Sequence, residues 1–117
     1  MSYLAEWLSA FALTQAIEVP IVVVLTRGSS LPAWRRAGVA FLASLATHPI
    51  VWFVIPELGL GEPARYVASE GWAFVGELLL YKLLLADLSW ARAAAVSFGA
   101  NAASFALGLV LWRLISP

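Results

Sequence analysis

The sequence has no cysteine, one histidine and few charges, which make up 12% of its 117 residues. Without cysteine, neither a disulfide-stapled secreted domain nor a thiolate zinc module can be built. A single histidine excludes haem held by two histidines and the paired histidines of a metalloprotease helix. Seven basic residues balance seven acidic ones, so the electrostatic footprint of a nucleic-acid binder is missing. There is no G-x-G-x-x-G motif and no phosphate-binding P-loop. Apolar residues are abundant, at 62% of the chain, with a mean hydropathy of +0.88. That excludes a disordered chain. It predicts an all-α integral membrane protein whose first partner is the lipid bilayer.

The apolar runs predict four helices, Leu4–Leu25, Ala37–Ile55, Tyr66–Ala86 and Ala91–Ile115. Each is long enough to cross about 30 Å of hydrocarbon, which takes roughly 18–20 residues. Residues 1–117 then form a single transmembrane domain, with no soluble domain, linker or low-complexity tract. The first run reads as a span rather than a signal peptide. No basic region precedes it, and Gln15 and Glu18 interrupt it. The breaks at 26–32 and 56–63 carry glycine and proline, and Ser89 is placed to cap the fourth helix. Short connections favour an up-down-up-down four-helix bundle.

Orientation follows from lysine and arginine. The first and third connections, with their helix ends, carry Arg27, Arg35, Arg36, Lys82 and Arg92. The opposite side carries Arg65 and Arg113. The excess predicts that the first and third loops are cytoplasmic and both termini external. Trp7, Trp52 and Trp112 fall near outer helix ends, and Trp34 and Trp90 near inner ends, as interfacial belts require.

Some polar residues fall within the spans instead: Gln15, Glu18, His48, Glu70, Glu77 and Asn101. A carboxylate at mid-membrane costs at least about 2.5–3.5 kcal/mol, so such groups face a bundle interior or a wet cavity. At about 1.5 Å per residue, Glu18 and Asn101 lie roughly 13–14 Å from Arg27 and Arg92. Glu77 lies roughly 15 Å from Asp87, and His48 roughly 18 Å from Arg36. Four residues from four helices thus share one depth. Helical spacing extends each into a stripe: Phe11, Gln15, Glu18 and Val22; Ser44, His48, Val51 and Ile55; Glu70, Phe74, Glu77 and Tyr81; Ser97, Asn101, Ser104 and Gly108. If the stripes turn inward, Glu18, His48, Glu77 and Asn101 form a central polar site. Gln15, Glu70, Tyr81, Ser97 and Ser104 are its secondary members. Pro20 and Pro49 are expected helix kinks that free the carbonyls of Ala16 and Leu45 for polar groups or an ion.

The plainest role for such a cluster is a hydrogen-bond network, worth about 0.6–2 kcal/mol per bond in a membrane. Asn101 suits that role well, as one amide joining two helices. Ser97, Ser104 and Gly108 suit close helix contact. Glu70 either pairs with Arg65 or marks the mouth of a path inward. Tyr81 either bonds Glu77 or packs. Two carboxylates with a histidine at one depth exceed what packing needs, because serine or asparagine would serve.

Three functional classes fit. The first is ion transport or proton-coupled transport of a small solute, with no required cofactor and no catalysis. The second is a metal-binding membrane protein, or a metalloenzyme, with Glu18, His48 and Glu77 holding Zn, Mn or Fe. The third is a small accessory subunit of a larger membrane complex. A homo-oligomer or a membrane-complex partner is expected, and Ala100-x-x-x-Ser104-x-x-x-Gly108 offers a close-packing face.

Small drug-export pumps are similar in length, helix count and one glutamate in the first helix, but the rest of their pattern is absent. Fluoride channels share only the four short helices. Glu18-Val-Pro20, Thr47-His-Pro-Ile-Val-Trp52, Glu70 with Glu77 and Tyr81, and Asn101-Ala-Ala-Ser104 together resemble a group of small bacterial four-helix membrane proteins. Thr-His-Pro-x-x-Trp is the most specific element. The resemblance implies one recurring polar site and brings no activity, cofactor or substrate. Abundant Ala, Leu, Val, Trp and Arg beside a single Lys fit a GC-rich bacterial source and a multi-pass protein of the inner, cytoplasmic membrane.

Overall fold

The computed structural model describes residues 2–115, apart from the side chains of Trp112 and Ile115. Four α-helices and one short 3-10 turn, η1, make up the fold, and the described residues contain no strand. They are α1 (Tyr3–Leu25), α2 (Ala33–Phe53), η1 (Ile55–Leu58), α3 (Ala64–Leu84) and α4 (Trp90–Ile115). The helices α1, α2 and α4 are long and apolar enough to cross a membrane, which is consistent with a membrane protein. Helix α3 is not in that set, because it carries Arg65, Glu70, Glu77 and Lys82 in its 21 residues. Large apolar side chains on the outer surface include Leu8, Leu13, Phe41, Leu42, Val75 and Phe98. That is the reverse of a surface shaped by water.

The helix ends follow local chemistry. The Ser2 hydroxyl accepts the Ala5 N–H at 3.2 Å, and the Ser89 hydroxyl accepts the Arg92 N–H at 3.0 Å. Both satisfy amides that a first helical turn leaves free. Helix α2 starts at Ala33 rather than Ala37. Pro32 is extended and needs no N–H of its own, so the helix begins directly after it. It ends at Phe53, and η1 leads to Gly59, whose φ of 73° a side chain would disfavour. Lys82 closes α3 by donating to the carbonyls of Ala86 at 3.0 Å and Leu88 at 2.8 Å. Both α1 and α2 continue through their prolines.

Each helix packs on two neighbours, in the ring α1–α2–α3–α4–α1, and the backbones of the two diagonal pairs stay apart. The turn after α1 meets the turn after α3. Asp87 accepts the Ser29 hydroxyl at 3.1 Å and the Ser30 N–H at 2.6 Å. We call this the clasp end. The apolar core fills the half beside it, with Val22, Ala40, Ala43, Tyr81, Ala93, Val96 and Ala100 buried together. Small residues there let the backbones approach closely. Arg36 belongs to this half as well. It was expected among the orientation charges, yet it is buried. Its guanidinium donates to the carbonyls of Leu31 and Val23 and to the Thr26 hydroxyl. Its charge therefore sits against the C-terminus of α1, where the helix dipole favours a cation.

Two outcomes test this packing. A Cβ on Gly76 would come within 2.8 Å of Thr47 Cγ2, and the Thr47 hydroxyl is held by the Ala43 carbonyl at 3.1 Å. Gly76→Ala should therefore cost about 1–3 kcal/mol in unfolding titrations in mixed micelles, and an unchanged midpoint would contradict the close α2–α3 contact. The Ser30 N–H, chiefly, holds the Asp87 carboxyl below the usual aspartate range, aided by the Ser29 and Ser30 side chains. A depressed carboxyl stabilises the fold above its unfolded value of about 3.9 and loses that effect as pH falls through its folded value. Asp87→Asn should therefore melt below the parent at pH 7, and the gap should close under strong acid. A gap independent of pH would exclude the charged clasp.

Candidate functional site

Glu18 follows Phe11 and precedes Val22 on the buried face of α1, and only 3% of it is exposed. Glu77 precedes Tyr81 on the buried face of α3 and is 1% exposed. These helices form one diagonal of the bundle, so the two carboxyl groups reach each other across its axis as hydrogen-bonding neighbours. Helix α4 lies between them and serves both. Its Ser104 hydroxyl donates to Glu18 Oε1 at 2.8 Å. Its Asn101 amide donates to Glu77 Oε2 at 2.7 Å and to the Ser97 carbonyl at 2.8 Å. Ser97 in turn donates to the Phe74 carbonyl of α3 at 2.8 Å.

A hydrogen bond between two carboxyl groups requires a proton on one of them. Ser104 and Asn101 serve one oxygen of each carboxyl, and the other two, Glu18 Oε2 and Glu77 Oε1, are buried with no other side-chain or backbone donor. Among the described residues no cation neutralises the pair. The ion pair found among the described residues is Arg65–Glu62, at 2.8 Å. This also answers the expected alternative for Glu70, since Arg65 turns to Glu62 instead.

Above the pair lies a cavity of about 280 Å³, in the half of the bundle nearer η1. All four helices line it. Glu18, Asn101 and Ser104 contribute at its deep end, and Glu70 and Ser69 nearer η1. Glu70 is exposed there. Beyond the pair, toward the clasp, Tyr81 is fully buried and its hydroxyl has no partner, so it packs rather than bonding Glu77.

His48 lines the same cavity without touching either carboxyl by hydrogen bond. Its Nδ1 accepts the Trp7 indole N–H at 3.0 Å, and its ring packs against Phe11 and Trp52. Trp7 and Trp52 thus help to hold His48, beyond any interfacial role, and Trp112 has its side chain outside the described residues. The expected metal set of Glu18, His48 and Glu77 does not assemble. Among the described residues no three such groups gather to hold an ion, and His48 Nδ1 is taken by the Trp7 indole.

The remaining expected members divide. Gln15 donates to the Ser44 hydroxyl at 2.6 Å, joining α1 to α2, and its carbonyl oxygen is buried without a partner. Ala16 and Leu45, whose carbonyls the prolines free, are exposed residues, as is Pro20. No side chain among the described residues donates to those two carbonyls, so they are not part of the site. Ala100, Ser104 and Gly108 face the interior of their own bundle.

Sequence reasoning missed Trp7, although the stripe of Phe11 and Glu18 extends back to it at helical spacing. It also missed the Trp72 indole, which donates to the Thr47 carbonyl at 3.2 Å. Comparison with protein-family models, curated proteins and solved structures finds no match.

Asn101 joins α4 to α3 through one amide, and its partner there is the Glu77 carboxyl. Asn101→Leu leaves Glu77 Oε2 without its donor and should cost about 1–3 kcal/mol. Pairing it with Glu77→Leu should recover part of that loss in a double-mutant cycle. Strict additivity of the two changes would mean that the bond contributes nothing.

Proposed function

We propose that this chain is an integral membrane protein of the bacterial inner membrane that transports an ion, or a small solute coupled to protons. In this reading the four helices run up-down-up-down across the bilayer. The clasp end faces the cytoplasm and both termini face outward, following the excess of lysine and arginine near the clasp. Helix α3 is the least apolar of the four, and its Glu77 turns into the bundle rather than toward lipid.

The observation that carries the proposal is the floor of the cavity. Two carboxyl groups meet there, away from any cation, and one of them lines a space that the exposed Glu70 also lines. Buried ionisable groups in a membrane mark ion or proton paths by default. A carboxyl pair that shares a proton can load and release it as the cavity exchanges its contents. The clasp half is filled by Val22, Tyr81, Leu85, Val96 and small alanines. A transport cycle therefore has to loosen that packing on the cytoplasmic side. The unpartnered Tyr81 hydroxyl is the next polar group on that route.

The other two classes have less support. Among the described residues no three metal-ligating groups gather, and the small-residue stripe that would suit a partner helix is turned inward.

Proteoliposomes with a trapped pH dye test the proposal. The parent protein should relax an imposed pH gradient faster than empty vesicles. Glu18→Gln and Glu77→Gln should each fall to the empty-vesicle rate while remaining folded, and Tyr81→Phe should slow the flux. Equal relaxation by the parent and both glutamine variants would exclude proton coupling at this pair.

A further inference from the structure

Two polar atoms on the cavity wall are engaged by no other group among the described residues. His48 lines the cavity from α2, and Asn101 lines it from α4. The Trp7 indole donates to His48 Nδ1, so the neutral ring carries its proton on Nε2. That N–H finds no acceptor among the described residues. Nε2 is not one of the buried unpartnered atoms, so it is open to the cavity. Asn101 is fixed in the opposite sense. Its amide nitrogen donates to the Ser97 carbonyl and to Glu77 Oε2. A carbonyl can only accept, so the nitrogen has to face Ser97 and Oδ1 takes the other corner. Ser97 lies one turn nearer the clasp, which leaves Oδ1 on the cavity side. It too has no donor and is not buried.

One wall therefore offers a fixed donor and the facing wall a fixed acceptor. Helices α2 and α4 form the second diagonal of the ring, so the two atoms stand on opposite sides of the cavity. A ligand that satisfies both needs an acceptor and a donor side by side. A primary carboxamide has that pair, with its C=O toward His48 and an N–H toward Asn101. Two hydrogen bonds of about 2.9 Å each, with the amide between them, reach about 8 Å. A sphere of about 280 Å³ has a diameter of about 8 Å, so the reach suits the space. The rest of the wall is largely apolar, with Val51, Phe105 and Leu109 among it, and it suits a short carbon chain. A carboxylate has no donor for Oδ1 and would meet Glu70, the exposed acid at the mouth. An ammonium has no acceptor for the Nε2–H.

The geometry points to a site for a small neutral carboxamide, held between the His48 Nε2–H and Asn101 Oδ1. This rests on the transport reading and names the solute that moves with the proton. Trp7 is a positioning residue for the site. It bonds the far nitrogen of the imidazole and thereby fixes which nitrogen presents a proton to the cavity. Neither Glu18 nor Glu77 is a ligand to the amide, so the solute site and the proton pair are adjacent and distinct. Asn101 joins them, with its nitrogen on the Glu77 carboxyl and its oxygen on the solute.

The chain has one histidine, so isotopic labelling of histidine in the full chain, held in nanodiscs, gives a single imidazole to follow by NMR. n-Butyramide is the probe. The control for the donor is 2-pentanone, which has the same shape with a methyl in place of the NH2. The control for charge is n-butylammonium. The free protein should show one Nε2–H tautomer, and n-butyramide should shift its signal saturably. By calorimetry both controls should bind about tenfold more weakly, the loss of one hydrogen bond of about 1.4 kcal/mol. Trp7→Phe keeps an aromatic ring and removes the indole N–H. It should mix the two His48 tautomers and weaken binding. Gly108→Leu keeps every polar group of the site. A Cβ there meets nothing within 4 Å, and the longer side chain enters the cavity that Gly108 lines. That variant should fold and lose binding, which keeps the site open to test if Trp7→Phe does not fold. Equal binding of either control, full binding by folded Gly108→Leu, or an unmoved His48 signal at saturating n-butyramide would overturn the proposal. Binding without proton flux in proteoliposomes would remove the transport reading and leave the amide site standing. Proton flux without n-butyramide binding would do the reverse.

Discussion

The carboxyl groups of Glu18 and Glu77 meet across the axis of the bundle, and every helix is arranged around that meeting. Helices α1 and α3 stand on one diagonal and make no backbone contact. Only long side chains can join them, and glutamate has the reach. Helix α4, between them, supplies one donor to each carboxyl through Ser104 and Asn101. Helix α2, on the other side, supplies acceptors for the flanks: Ser44 for Gln15, Thr47 for Trp72, and His48 for Trp7. The polar interior is thus a cross-brace, with its weak member on the diagonal and its firm members on the edges.

The distribution of unsatisfied atoms sharpens this picture. The buried side-chain atoms found without partners are Gln15 Oε1, Glu18 Oε2, Glu77 Oε1 and the Tyr81 hydroxyl. All lie on the diagonal helices. The same chain buries a full guanidinium at Arg36 and meets it with two carbonyls and a hydroxyl. Local satisfaction is therefore within its capacity. Native interiors leave few polar atoms unpaired, and those few call for a reason. Here they gather around the carboxyl pair, where a shared proton would supply part of what the other side chains leave open.

Much of this was legible in the sequence, and the reasons are physical. Apolar runs marked α1 and α4 to within a residue or two, because nothing in them competes with helix formation. The start of α2 was less legible. The Pro32-Ala-Trp-Arg-Arg segment reads as a charged loop, yet proline nucleates a helix there and Arg36 turns inward to the end of α1. Equal depth brought Glu18, Glu77 and Asn101 together on paper, since rise per residue is nearly invariant in a helix. Depth says little about rotation or about which helices are diagonal. His48 therefore reached the right level and the right cavity, while its ring went to Trp7, which no spacing rule within α2 can reveal. The ring of helix contacts is a property of the assembled bundle and has no local signature.

The diagonal position of the glutamates has a mechanical consequence. A helix that rolls about its own axis moves its side-chain tips by about 1 Å for every 10°, at a radius of about 5–6 Å. The packed edges of the ring can absorb such a roll by small sliding of alanine and valine surfaces. The diagonal cannot, because it is spanned by a single hydrogen bond. A roll of about 10–20° in α1 or α3, moving the tips by about 1–2 Å, would thus separate the two carboxyls while leaving the core intact. The bundle then acts as a gear of low ratio, turning a small rotation into the difference between one shared proton and two independent acids.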